Sequence, residues 1–487
     1  MYSKYLEGLQ PRRVFEIFDQ LCYIPHGSWN EKAISDYAKE FCLNLGLETY
    51  QDEFHNLIIK KPATKGYENV PIVVLQAHLD MVCQRKPDST HDFERDPIEV
   101  LRKGDSIYAK DTTLGADDGT GVAFALSVLE STNLKHPQLE VVLTSNEEAG
   151  MTGIKNLDFD RIKGRVILNL DCSDEGIVVG CAGTLVSCTS FSFERIPLVL
   201  DRGVCSITVS GLQGGHAGLM AIQEGGNANA LLARVLSRIF EVIPFGLVSF
   251  DGGLLDNAIT RASTCVVSLP NQKIPECIQL ISEYEKLLQK EYAMKDDGIT
   301  LSTEELVSCE ESPMSDEDTE KFLSLINVFP NGLLSTSKDV KNLAELSANM
   351  GVVHTKSGTI EIHTMCRARY DSGKQHYLIK VKQLAKLANA TVTVLSEAPE
   401  WEYKPASRLS NLINEIYNQE YGKDILVEIS HGGNECGNFF RHFPDADIVC
   451  SGTKITGAHT TEETVAVSVI QKEWKMLCRT LEGMLNY

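Results

Sequence analysis

The chain has 487 residues, 43% of them hydrophobic, and 46 Lys and Arg stand against 67 Asp and Glu for a formal net charge of -21. That length buries a large core and exceeds one compact domain, so two domains are the natural expectation. The acidity argues against a nucleic-acid partner, since phosphate binding needs clustered Lys and Arg, and no window approaches the roughly 20 apolar residues of a membrane span.

The segment from Met1 to Leu21 patterns as an amphipathic helix and lacks the apolar centre of a signal peptide. Further on, four apolar runs rich in Val and Ile end in polar clusters: Ile72 to Gln76, Leu139 to Thr144, Val166 to Leu170 and Ala446 to Cys450. Runs of this length suit strands buried on both faces. Helical patterns over Gly119 to Glu130 and Ser410 to Tyr421 alternate with them. The alternation predicts an α/β fold with a mostly parallel sheet.

The middle of the chain reads differently. Strands are expected over Val204 to Ser210, Thr264 to Leu269 and Thr359 to Arg369, with helices over Asn227 to Phe240, Pro275 to Tyr292 and Tyr377 to Ala388. Strands followed by long helices predict a separate α+β domain inserted at 187–396. The first domain is then discontinuous, 1–186 plus 397–487. The acidic stretch from Ser308 to Glu320 reads as a solvated loop and helix start. The 14 cysteines are scattered, without a C-x-x-C, and many lie inside apolar runs, as Cys205, Cys265 and Cys450 do. They read as reduced core residues of a cytoplasmic protein.

The polar clusters at the strand ends carry the chemistry. They are His78-Leu79-Asp80, Leu114-Gly115-Ala116-Asp117-Asp118-Gly119, Asn146-Glu147-Glu148-Ala149-Gly150, Asn169-Leu170-Asp171 and Gly457-Ala458-His459. In open α/β sheets, sites form beyond the carboxyl ends of the strands. Taken singly, each cluster has a bland reading as a turn, a core histidine or a solvated helix start. Together they gather histidines and carboxylates that would repel one another when buried unless cations neutralised them. Imidazole and carboxylate ligands suit zinc, with manganese or cobalt as substitutes. The sequence has no G-x-S-x-G, H-E-x-x-H, G-x-x-x-x-G-K-[ST] or G-x-G-x-x-G.

The motifs H-L-D, L-G-A-D-D-G, N-E-E-A-G-M-T-G, L-N-L-D, G-G-H-A-G and G-A-H resemble the di-zinc peptidases that include carnosinases, aminoacylases and bacterial dipeptidases. Within that clan the chain is similar to the Xaa-His dipeptidase branch, on G-L-Q-G-G-H-A-G with G-N-A-N, H-G-G-N-E-C-G and R-Y-D-S-G. The resemblance implies two divalent metals. Asp117 would bridge them, His78 and Asp171 would complete one site, and Glu148 and His459 the other. Asp80 would hold the His78 ring through its second nitrogen. Glu147 would be the general base that takes a proton from the attacking water and passes it to the leaving amine. His216 would stabilise the oxyanion. The Asp117–Asp118 peptide bond would be cis. The second domain would act as a lid and dimerisation domain, giving a homodimer.

Substrate capture is open between two features. Arg367, with Arg369 two positions on, and the turn containing Gly432, Gly433 and Glu435 are candidates for gripping a substrate carboxylate. The expected reaction is hydrolysis of dipeptides with a C-terminal His, including β-alanyl-histidine. A broader di- or tripeptidase and an N-acyl amino-acid hydrolase share the same metal chemistry, because the pocket sets specificity. A catalytically dead metal- or peptide-binding protein would show loss of the base, whereas Glu147, Asp80 and all five ligands are present.

Overall fold

The computed structural model describes residues 3–172, 175–199, 201–218, 220–307 and 311–487. The chain divides into two compact units. One comprises Met1–Cys181, Trp401–Ile429 and Asn434–Tyr487; the other comprises Ala182–Glu400 and Ser430–Gly433.

The first unit is built on an eight-stranded sheet. Its centre is four parallel strands: β1 (Val73–His78), β2 (Leu139–Thr144), β3 (Val166–Asn169) and β4 (Asp447–Cys450), in the order β2-β1-β3-β4. The sheet is mixed rather than parallel throughout. Leu57–Lys61 pairs antiparallel with β2, and Ile177–Cys181 pairs antiparallel with β4. Every residue of β1 and β2 is buried, as their unbroken apolar runs require. Side chains alternate across the sheet. Val73, Leu75, Val141 and Leu168 join the core formed with helices Arg12–Cys22, α1 (Ala116–Glu130) and Val467–Gly483. Val74, Val142, Ile167 and Ile448 face the opposite way, onto Cys436 and Phe439 of helix Cys436–His442.

The second unit carries a nine-stranded sheet, with the observed strands Arg202–Ser210, Ser263–Pro270 and Thr359–Ala368 close to the expected spans. Ile207, Cys265, Val267, Ile360 and Ile362 form one core with residues of helices Ala228–Val242, Ile274–Glu291, Asp316–Val328 and Asp371–Leu387. Of the acidic stretch, Ser308, Cys309 and Glu310 lie outside the described residues. Ser315 caps the helix that follows, its hydroxyl accepting the Asp318 backbone N–H at 3.0 Å. All described cysteines are free, and all but Cys83 and Cys478 are buried. No helix among the described residues is long and apolar enough to cross a membrane.

Candidate metal centre

The carboxyl ends of β1, β2 and β3, the start of α1 and one hairpin loop deliver the site. His78 is the last residue of β1, and register sets it beside Thr144 at the end of β2. Beyond β2 the backbone turns at Asn146 with φ 55°, a left-handed conformation that Asn tolerates better than most residues. Glu147 and Glu148 follow immediately. Asp171 lies two residues beyond the end of β3. His459 sits in the loop between the short strands Ile455–Thr456 and Thr464–Ala466.

Asp117 enters through a loop that only glycine permits. Gly115 has φ 72°, and a Cβ there would lie 2.9 Å from Met81 Sδ. The Asp117–Asp118 peptide bond is cis, and both residues depart from helical dihedrals. Asp118 then caps the helix proper: its Oδ1 accepts the Gly121 N–H at 3.1 Å, and its Oδ2 accepts the His78 N–H at 3.2 Å. Gly121 is needed for that cap, since a Cβ would stand 2.3 Å from Asp118 Oδ1.

The two oxygens of Asp117 face two histidines. Oδ1 lies 3.2 Å from His78 Nε2, and Oδ2 lies 3.5 Å from His459 Nε2. His78 Nε2 is also 4.0 Å from Asp171 Oδ1, and His459 Nε2 is 2.8 Å from Glu148 Oε1. His78, Asp117 and Asp171 form one group able to hold a metal, and Asp117, Glu148 and His459 form a second. Glu147 joins His78 and Glu148 in a third overlapping group.

Electrostatics point the same way. Burial, then the Glu148 charge, pushes the Glu147 carboxyl well above the ordinary range. Burial, then Asp117, does the same to Asp171. Hydrogen bonds to Asp117 and Glu148 push the half-exposed His459 imidazole up to about 11. Burial opposes ionisation of Asp117, yet its bonds to His459 and His78 hold it below the usual carboxylate range. Carboxylates this crowded demand positive charge among them, and a set of imidazole and carboxylate donors sharing one Asp fits a pair of divalent cations.

The profile of peptidase family M20/M25/M40 matches residues 74–483. The chain belongs to this family. It is 35% identical over 478 residues to the cytosol non-specific dipeptidase of Escherichia coli, covering 98% of each chain. The crystal structure of aminoacylhistidine dipeptidase from Vibrio alginolyticus is 34% identical, covers 98% of each chain and superposes with a TM-score of 0.87. A tripeptidase from Staphylococcus aureus shares the fold at 18% identity and a TM-score of 0.60, over 98% of this chain and 100% of its own.

In this M20/M25/M40 peptidase, two carboxylates buttress the site through the backbone. Asp80 is fully buried; its Oδ1 accepts the Glu147 N–H at 2.9 Å, and its Oδ2 accepts the Glu148 N–H at 3.2 Å and the Ser28 hydroxyl at 2.8 Å. His78 Nδ1 donates to the Asp80 carbonyl at 3.1 Å, with Asp80 Oδ1 3.5 Å away. The second nitrogen of the His78 ring therefore faces both the carbonyl and the carboxylate of Asp80, and the same carboxylate orders the Glu pair. Glu463 is the second buttress, and the motifs did not mark it. Its Oε2 accepts the N–H groups of Leu114 and Gly115 at 2.7 and 3.1 Å, and its Oε1 those of Ala116 and Asp117 at 2.8 and 3.3 Å.

The remaining candidates fall in two places. Within the second unit, His216 lies on a two-residue strand paired to Ala258–Ile259, and Arg367 Nη2 donates to its Nε2 at 3.3 Å. Arg367 Nη1 reaches the His431 carbonyl at 3.5 Å, and His431 Nε2 and Ser347 Oγ lie 2.7 Å apart. Arg369 is committed elsewhere, donating to Ser337 Oγ at 2.7 Å. Gly432 and Gly433 belong to the same unit, and the Gly432 N–H donates to Ser430 Oγ at 2.9 Å. Glu435 belongs to the first unit, is fully buried, and accepts from Thr144 Oγ1 at 2.7 Å and from Gln76. Burial pushes its carboxyl up to about 7.

Proposed function

We propose that this peptidase hydrolyses dipeptides, including those with a C-terminal His such as β-alanyl-histidine, with two zinc ions held at the ends of β1, β2 and β3. Manganese or cobalt would substitute for zinc. The observation that carries the reading is Asp117, whose two oxygens address His78 on one side and His459 on the other. His78, Asp117 and Asp171 would hold one ion, and Asp117, Glu148 and His459 the other. Bound there, the ions supply Lewis acidity toward water and the peptide carbonyl.

The protein's own groups do the rest. Glu147, as the carboxylate, takes a proton from the attacking water and returns it to the leaving amine, and its burial beside Glu148 raises its affinity for that proton. Asp80 fixes its backbone, and Glu463 fixes that of Asp117. Arg367 takes the substrate carboxylate, since guanidinium forks match carboxylates, and His216 stabilises the oxyanion. The unit centred on 187–396 serves as a lid and as the surface of a homodimer. The protein works in the cytoplasm, as the name of its Escherichia coli relative indicates for that enzyme.

The names of the relatives favour two breadths of specificity, one non-specific and one for aminoacyl-histidine. A dipeptide panel assayed with purified protein and zinc, manganese or cobalt separates them. Turnover confined to Xaa-His substrates supports the narrow reading, and comparable turnover across the panel supports a broad dipeptidase. No turnover of any dipeptide with any of the three metals would reject both.

A further inference from the structure

Three polar side chains interrupt the apolar face of the central sheet near the carboxyl ends of its strands. Gln76 follows Val74 on β1, Asn169 follows Ile167 on β3, and Thr144 follows Val142 at the end of β2. All are fully buried. Side chains two apart share a face, so Gln76 lies immediately beneath His78 on β1 and Asn169 beneath Asp171 beyond β3, while register sets Thr144 beside His78. Register brings Gln76 and Asn169 side by side on neighbouring strands.

A fourth buried side chain ties the row together. Glu435 precedes helix Cys436–His442, whose Cys436 and Phe439 pack onto the same face of the sheet. Its Oε2 accepts hydrogen bonds from Gln76 Nε2 and Thr144 Oγ1. Gln76 Oε1 accepts from Asn169 Nδ2, and Asn169 Oδ1 accepts the backbone N–H of Asp171 at 3.1 Å. The chain of bonds runs from β2 through Glu435 and β1 to β3, and ends on the backbone of a ligand. Glu435 Oε1 has no hydrogen-bond partner among the described residues. A buried carboxyl with one oxygen unpaired is costly, and an apolar side chain would fill the space more favourably. Its place between the ends of three strands points to alignment rather than to stability.

We propose that Glu435 is a positioning residue for the metal ligands: through Gln76 and Asn169 it locks the carboxyl ends of three parallel strands and sets His78 and Asp171. The inference rests on the two-metal reading of the site. It assigns the buried network to the ion held by His78 and Asp171, and leaves the Glu148–His459 side to other supports.

Glu435→Leu tests it. The two donors are not stranded by that change, because Gln76 Nε2 also lies 3.2 Å from Thr144 Oγ1, and Thr144 Oγ1 also lies 3.3 Å from the Ala77 carbonyl. Metal-free protein is titrated with zinc against a competing chelating dye, and its thermal unfolding is recorded without metal. The expected result is a variant that folds and binds one of its two ions about 10–100-fold more weakly, the usual loss on removing an outer partner of a ligand. Glu435→Gln, which keeps an accepting oxygen, should recover most of that loss. Asn169→Ala should weaken the same ion from the other end of the network, and carries the same expectation if Glu435→Leu does not fold. Wild-type affinity for both ions in Glu435→Leu, or in Asn169→Ala where it stands in, would overturn the proposal. So would equal damage by Leu and Gln at position 435. Wild-type protein that bound no zinc would instead overturn the two-metal reading itself.

Discussion

Asp80 accepts the backbone N–H of Glu147 at 2.9 Å, so the residue that follows His78 by two positions also fixes the residue we assign as the base. The same carboxylate reaches the Glu148 N–H. One buried acid thereby sets the spacing between a ligand strand and the Glu pair. Asp80→Ala should lower kcat and loosen metal binding together, each by about 10–100-fold. Steady-state kinetics combined with metal analysis checks this. A loss confined to the His78 side would show that the Glu pair is held by something else.

Glu147 and Glu148 are adjacent but differently placed. Glu148 Oε1 is 2.8 Å from His459 Nε2 and falls in the Asp117–Glu148–His459 group, while Glu147 shares a group with His78 and Glu148. Glu147→Ala should keep both metals and lose roughly 10²–10⁴-fold in kcat, the usual contribution of a general base. Glu148→Ala should lose one metal. The metal content of the two purified variants decides the assignment, and the reverse pattern would exchange their roles.

The strands that carry the site were legible because their apolar runs are continuous. Leu139 to Thr144 coincides with β2, and β1, β3 and β4 begin or end within a residue or two of the expected spans. The His and acidic clusters at their ends were legible for the same reason: polar residues stop an apolar run. Glu463 and Glu435 were not legible as supports. Glu463 acts on backbone N–H groups more than three hundred residues away in the chain, and backbone partners leave no trace in residue type. Glu435 looked like part of a glycine-rich turn; only the packing of Cys436 and Phe439 turns it into the core. A signal did exist for its partners, since Gln76 and Asn169 are polar residues inside otherwise apolar strands. The antiparallel edges of the sheet were also hidden, because strand direction depends on connections rather than on composition.

Removal of metal should abolish activity. The site crowds Asp117, Glu147, Glu148 and Asp171 around two histidines, and burial with the neighbouring carboxylates disfavours the charged forms of Glu147 and Asp171. Prolonged treatment with excess chelator should therefore leave a folded, inactive protein of lower thermal stability. A ligand present at 100 times its Kd adds about 2.7 kcal/mol, so readdition of zinc should raise Tm as well as restore turnover. Full activity after long chelation would refute the metal reading.

Glu463 offers a separate test of the loop that presents Asp117. Its two oxygens accept four consecutive backbone N–H groups. Glu463→Ala leaves buried donors unpaired, at about 1–3 kcal/mol for each group left unsatisfied. The expected outcome is a marked fall in Tm together with weaker binding of both ions, because Asp117 belongs to both groups. Glu463→Gln retains one accepting oxygen and should fall between the two. Unchanged zinc affinity in Glu463→Ala would mean that the loop holds its shape through Gly115 and Asp118 alone.

His216 and Arg367 are neighbours in the second unit, joined at 3.3 Å, and they are assigned different tasks. An oxyanion donor acts on the transition state, so its removal lowers kcat; a group that grips the substrate carboxylate acts on ground and transition states alike, so its removal raises KM. His216→Ala should lower kcat by roughly 10²–10³, the usual loss for one oxyanion donor, and leave both metals bound. Arg367→Lys should chiefly raise KM, since a lysine keeps the charge but not the fork. Because Arg367 Nη2 donates to His216 Nε2, the His216→Ala variant also removes one partner of the guanidinium, and a modest change in KM accompanies the loss of kcat. The decisive comparison is therefore the ratio of the two effects in each variant. If His216 merely closes the turn made by the short strand paired to Ala258–Ile259, its alanine variant keeps the wild-type kcat, and the oxyanion role passes to another group.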